Sequence, residues 1–139
     1  MRTLLSLVLT MLAGASPAWA DPNIAGNYDV QFEEVASTCN PKPETLAKGK
    51  LLIAVKKSSL TMKFDSIYQM VGVAAKDGKI NAKTKNLIGT SVGGLSARYS
   101  VTGRADNAAV ELVLTAQYIR QDTSRPHCQQ VWNIKGTRR

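Results

Sequence analysis

From Asp21 onward, apolar and polar residues alternate with period two in almost every segment, and the segments are separated by clusters of Gly, Asn, Asp, Pro and Ser. Period two sends successive side chains to opposite faces of a strand, so the pattern predicts an all-β chain. The first run places Tyr28, Val30 and Phe32 on one face and Asn27, Asp29, Gln31 and Glu33 on the other, and Cys39-Asn40-Pro41-Lys42-Pro43 then breaks any strand. Three two-residue turns can be tested by phase, because each fixes the pairing of its flanking strands. A turn at Lys57-Ser58 pairs Val55 with Leu60, Ile53 with Met62 and Leu51 with Phe64. One at Asp77-Gly78 pairs Ala75 with Ile80 and Val73 with Ala82. One at Asp106-Asn107 pairs Gly103 with Val110, Val101 with Leu112, Tyr99 with Leu114, Ala97 with Ala116 and Leu95 with Tyr118. A last strand near Gln130 to Gly136, with Trp132 and Ile134 inward, brings the count to about eight, joined mostly as a meander. Asp65 to Val71 and Asn86 to Gly94 fit a short helical turn or wide loop as well as sheet, and no segment carries a convincing helical pattern or internal repeat.

Residues 1–20 stand apart. Arg2 precedes an apolar run from Leu4 to Leu12, and Ala18-Trp19-Ala20 forms a small-x-small cleavage site, so the segment reads as a secretory signal peptide and the mature chain as 21–139. The run is shorter than the roughly 20 residues that span a bilayer, and no later segment is apolar enough to do so. Export to the periplasm or outside the cell follows from this reading, and it gives meaning to the two cysteines. In an oxidising compartment Cys39 and Cys128 are expected to pair, since Cys-x-x-Cys spacing is absent and one His is too few for a usual zinc set.

The cysteines also bear on topology. In an eight-stranded up-and-down sheet the end of the first strand and the start of the last lie at one rim. A Cys39–Cys128 bridge would therefore hold the seam of a single-domain antiparallel barrel, which closure favours over an open sandwich by removing two exposed edges. Gly26-Asn27-Tyr28, opening the first strand of such a meander, resembles the calycin group: lipocalins, avidin-like proteins and small bacterial barrel inhibitors. Lipocalins usually show Gly-x-Trp and carry a C-terminal helix, so size, leader and single disulfide look more like the bacterial inhibitors or a lipocalin-like protein. The resemblance carries no binding or inhibitory residue across.

Catalytic sets are missing. Glu33 and Glu34 are adjacent carboxylates that face opposite ways on a strand and read as solvated strand-end charges. His127 lies between Pro126 and Cys128, and no Ser stands in a nucleophile elbow. Gly89-x-x-x-Gly93-Gly94 lacks the Lys-Ser/Thr end of a phosphate loop. The chain is thus expected to be non-enzymatic, without metal or cofactor.

Charge is uneven. Without Arg2 the chain holds 17 basic and 10 acidic residues, a net of +7, and the whole excess lies between Lys42 and Lys85, where ten Lys meet three acids. By strand phase Lys50, Lys56, Lys63, Lys79, Lys83 and Lys85 fall on the outer face. They form either a solubilising surface or one that attracts an anionic partner such as envelope polysaccharide, lipid headgroups or an acidic protein. Nucleic acid is disfavoured, because the patch is Lys rather than Arg and only Phe64 and Tyr68 lie within it as aromatics.

The inward positions are Tyr28, Val30, Phe32, Leu51, Ile53, Val55, Leu60, Met62, Phe64, Val71, Val73, Ala75, Ile80, Leu95, Tyr99, Val101, Val110, Leu112, Leu114, Tyr118, Trp132 and Ile134. Eight strands enclose an interior that side chains can fill or that holds one small ligand. Ala97 opposite Ala116 thins the packing and invites a small apolar ligand among Ala97, Ala116, Tyr99, Tyr118, Trp132 and Met62, although the Tyr and Trp side chains can equally fill that space. The leading expectation is thus an exported binding barrel that carries a small apolar molecule inside; the alternatives are a barrel that binds a protein such as an exported hydrolase through rim loops Asn40 to Lys48 and Gln121 to His127, and a Lys face that binds anionic envelope components.

Overall fold

The computed structural model describes residues 24–139; the segment 1–20, expected from its sequence to be a leader, lies outside the described residues. Nine strands follow one another: β1 (Gly26–Ser37), β2 (Lys48–Lys56), β3 (Ser59–Phe64), β4 (Ile67–Ala74), β5 (Lys79–Lys83), β6 (Ile88–Gly89), β7 (Leu95–Ala105), β8 (Ala109–Arg120) and β9 (Pro126–Arg138). Every pairing is antiparallel, and the sheet closes through β1–β9 and β5–β7. The result is an eight-stranded up-and-down barrel, with β6 an extra two-residue strand that continues the β5 edge along β7. Closure satisfies the backbone groups that an open sheet would leave along its two edges.

The first predicted hairpin is observed residue for residue, with Leu51, Ile53 and Val55 opposite Phe64, Met62 and Leu60. The second differs by one residue. Ala74 rather than Ala75 faces Ile80, and Gly72 rather than Val73 faces Ala82. The cause is the turn: Gly78 donates its N–H to the Ala75 carbonyl at 3.0 Å, Ala75 donates to Lys79 at 2.9 Å, and Gly78 adopts a φ of 88°. This is a three-residue loop with glycine in the left-handed position, not a two-residue Asp-Gly turn. A shift of one residue exchanges the faces, so Ala74 is buried while Val73 points out and Ala75 is only half-buried.

Gly78 cannot be replaced without strain. A Cβ there would lie 2.2 Å from the Ala105 carbonyl oxygen. Gly78→Ala is therefore expected to cost about 1–3 kcal/mol in urea unfolding, combining left-handed strain with displacement of β7.

The third hairpin keeps its phase but slides by two residues. Gly103 faces Leu112, Val101 faces Leu114, Tyr99 faces Ala116, Ala97 faces Tyr118 and Leu95 faces Arg120. Asp106 directs the slip by accepting the N–H groups of Ala108 (2.7 Å) and Ala109 (2.8 Å) with its Oδ1, which moves the tight turn to Asn107-Ala108. The two ambiguous segments also resolve. Asp65-Ser66 is a turn leading into β4, and 84–94 is a rim loop interrupted by β6.

Four loops lie at one rim, here the bridged rim: 38–47, 65–66, 84–94 and 121–125. Cys39 and Cys128 form a disulfide there, where the β1 end meets the β9 start. The opposite rim holds the remaining turns and both ends of the described chain. Ile24 is fully buried at that rim, and the Tyr28 hydroxyl donates to its carbonyl at 2.6 Å.

Candidate functional site

Of the six interior candidates, Met62, Ala97, Tyr99, Ala116, Tyr118 and Trp132 are all buried. Five sit on neighbouring strands β7, β8 and β9, with Leu114 opposite Trp132. Their arrangement differs from the expected one in the respect that matters. The slipped register sets Ala97 against Tyr118 and Tyr99 against Ala116, so each alanine meets a tyrosine instead of the other alanine. Small residues opposite large ones interdigitate, and the packing gap that suggested a pocket is absent from this pairing.

Among the described residues, four of the cavities have volumes of about 310 to 720 Å³, and none of these four has any of the six residues in its lining. The largest of the four is a groove across the outer surfaces of β1, β2, β8 and β9, floored by Gly49 and Gly136. Its rim mixes Lys48, Lys50 and Lys135 with Asp29, Asp65 and Glu111, so it carries no net charge. Ala97→Phe is expected to destabilise the barrel by about 1–3 kcal/mol through overpacking, measured by thermal or urea unfolding. A variant as stable as the parent would reveal free space beside Ala97.

Polar side chains occupy the interior beneath the bridged rim. The Tyr118 hydroxyl donates to Gln130 Oε1 at 2.6 Å, and Gln130 Nε2 donates to Glu34 Oε2 at 2.6 Å and to the Glu44 carbonyl at 3.1 Å. The Glu44 N–H donates back to Gln130 Oε1 at 3.3 Å, while Lys42 Nζ caps the other oxygen of Glu34. Gln130 is fully buried, and the loop that carries Lys42 and Glu44 lies over it, with Pro43 buried. Burial holds the Tyr99 phenol up to about 12, with the Glu44 carboxylate adding to the effect. Tyr118 is raised too, by burial first and then by Tyr99 and Glu44. Burial also raises Glu44, whereas the hydrogen bonds from Lys42 and then Gln130 hold Glu34 below the usual carboxylate range.

Chemically, the Tyr118 hydroxyl, both ends of the Gln130 amide, the Glu34 carboxylate and the Glu44 backbone satisfy one another. Both phenols stay protonated at neutral pH, the Glu34 carboxylate is bound on both oxygens, and no nucleophile faces a base. Glu34 thus departs from its reading as a solvated strand-end charge. It shares the phase of Tyr28, Val30 and Phe32, as Gln130 shares that of Trp132 and Ile134, and phase was the signal that could have placed both inside. Among the described residues, no group of three His, Cys, Asp or Glu side chains is placed to hold a metal, and no helix is long and apolar enough to cross a membrane.

The lysines lie where their phase predicted. Lys50, Lys56, Lys63, Lys79, Lys83 and Lys85 are all exposed, the first five on β2, β3 and β5 and Lys85 just beyond β5. Among the described residues, no ion pair joins any of the six to a carboxylate. Asp29, the cross-strand neighbour of Lys50, pairs with Arg139 at 3.4 Å, and Asp77, beside Lys79, pairs with Arg104 at 4.0 Å. The two carboxylates nearest the patch in sequence, Asp65 and Asp77, sit in turns at its ends.

No family model, curated protein or solved structure matches this chain.

Proposed function

We propose that this is an exported, non-enzymatic binding protein whose working surface is the outer face of β2 to β5 and whose partner is anionic. The observation that carries the reading is the set of six exposed lysines on one run of neighbouring strands, without a carboxylate partner among them. Like charges held on a rigid sheet raise the local positive potential and concentrate counter-charges, an effect that salt screens. Export rests on the leader at 1–20 and accords with the Cys39–Cys128 bridge. The non-enzymatic part of the reading is supported by the rim cluster, where Tyr118, Gln130 and Glu34 hydrogen-bond one another and Lys42 holds the second oxygen of Glu34.

Titration with a fluorescent dextran sulfate, at rising salt, tests the reading. The parent is expected to bind at low salt and to lose affinity steeply as salt rises. Lys56→Gln/Lys63→Gln/Lys83→Gln is expected to weaken binding by about tenfold or more. A control that removes equal charge elsewhere, Arg98→Gln/Arg125→Gln/Lys135→Gln, should weaken it far less. Equal losses in the two variants would mean that net charge alone acts, and the face would have no special part.

A further inference from the structure

Resting on the anionic-partner reading, the face carries a second property that charge alone leaves unexplained. The outer side of a barrel strand is expected to be polar, yet Leu52, Tyr68 and Val73 are 46%, 68% and 58% exposed among the lysines. Leu52 lies directly opposite Lys63 across β2 and β3, and Val71, half-buried, lies opposite Lys83 across β4 and β5. Tyr68 stands where the β3–β4 register is irregular, against Lys63, and Val73 lies between Ser59 and Asn81. Single exposed apolar residues need no explanation, and Val113 between Thr102 and Asn133 is one. Here an aromatic and several aliphatic side chains lie on β2 and β4, on either side of the β3 residues Ser59, Thr61 and Lys63, with Lys63 and Lys83 as cross-strand neighbours of Leu52 and Val71.

We infer that the anionic partner is a lipid bilayer surface, met by this face with the lysines at the headgroups and Leu52, Tyr68 and Val73 reaching between them. A soluble polyanion gains nothing from apolar contacts, whereas a bilayer offers anionic phosphates above apolar depth. Long Lys stems cover apolar surface while keeping their charge in the headgroup layer, and tyrosine is at home at that level.

Co-sedimentation of the mature chain with vesicles decides it. The probes are phosphatidylcholine alone and phosphatidylcholine mixed about two to one with phosphatidylglycerol, with dextran sulfate and poly-glutamate as soluble anions. The parent is expected to sediment with the anionic vesicles and not with the neutral ones. Leu52→Ser/Tyr68→Ser/Val73→Ser is expected to lose about tenfold or more in vesicle partitioning while binding dextran sulfate as the parent does. Its thermal melt, compared with the parent's, confirms that these outward substitutions leave the barrel folded. Parent and variant partitioning alike would overturn the bilayer proposal, as would binding to dextran sulfate or poly-glutamate without vesicle binding. Both outcomes leave the anionic-partner reading standing. Binding to none of the anionic probes, or equal partitioning to neutral and anionic vesicles, would overturn both.

Discussion

Replacing Cys39 and Cys128 together by Ser is expected to lower the unfolding free energy by about 2–5 kcal/mol, the largest loss foreseen for any change discussed here. The bridge joins positions 89 residues apart, so in the unfolded chain it closes a long loop and removes much of that chain's freedom. In the folded barrel it ties the loop after β1 to the start of β9, at the seam where the first and last strands meet. Urea unfolding is the measurement. The midpoint should fall and the m value should rise, because the unbridged denatured chain exposes more surface. A loss below about 1 kcal/mol would show that the β1–β9 ladder holds the seam unaided.

The second large effect is expected at Gln130. Gln130→Leu keeps the volume but strips the Tyr118 hydroxyl of its acceptor and Glu34 and the Glu44 backbone of their amide partner. Buried polar groups left without partners cost about 1–3 kcal/mol each, and several are affected, so a loss of about 2–4 kcal/mol at neutral pH is expected. The effect should depend on pH in a defined direction. Glu34 has a folded pKa below its ordinary 4.5, so its stabilising contribution is present above that value and is lost as pH falls through the folded pKa. The gap between parent and variant should therefore narrow without closing as pH falls through the folded pKa of Glu34 in urea unfolding, since the Tyr118 hydroxyl and the Glu44 backbone lack their Gln130 partner at any pH. A gap that widens on acidification would show that Glu34 does not draw on Gln130.

The outcome at the rim explains how much of this molecule could be read from its residues. Strand phase is a local property, and it located the barrel, the inner face of β1, β2, β3, β7 and β8, and the outward lysines. Register depends on turn chemistry. Asp77-Gly78 and Asp106-Asn107 both look like two-residue turns, yet glycine in the left-handed position lengthened the first loop and the Asp106 carboxylate displaced the second turn by one residue. The first error reversed the faces of Val71, Val73 and Ala75, and Val71, expected inward, lies opposite the outward Lys83. The second left faces intact but set the two alanines against tyrosines, which changed the expectation for the interior. Glu34 and Gln130 escaped notice because a polar residue on an inward phase gives no sign of its partners, which here come from a loop and a strand remote in sequence. The rest of the apolar patch was hidden for a related reason: Tyr68 lay in a segment without clean alternation, and Val73 was assigned to the wrong face.

The seam has a consequence for how the chain can assemble. Strands β2 to β5 are joined by short turns, so their pairing brings together residues close in sequence. β1 is different: one of its edges belongs to β2, and the other waits for residues 130 to 138, in the ninth strand of the described chain. A chain delivered from its N-terminus can therefore build most of the sheet early and still expose the β1 edge until β9 arrives. Through that interval the sheet is an open, adhesive ribbon, and any delay before β9 pairs prolongs the period in which two such ribbons can join in place of closing.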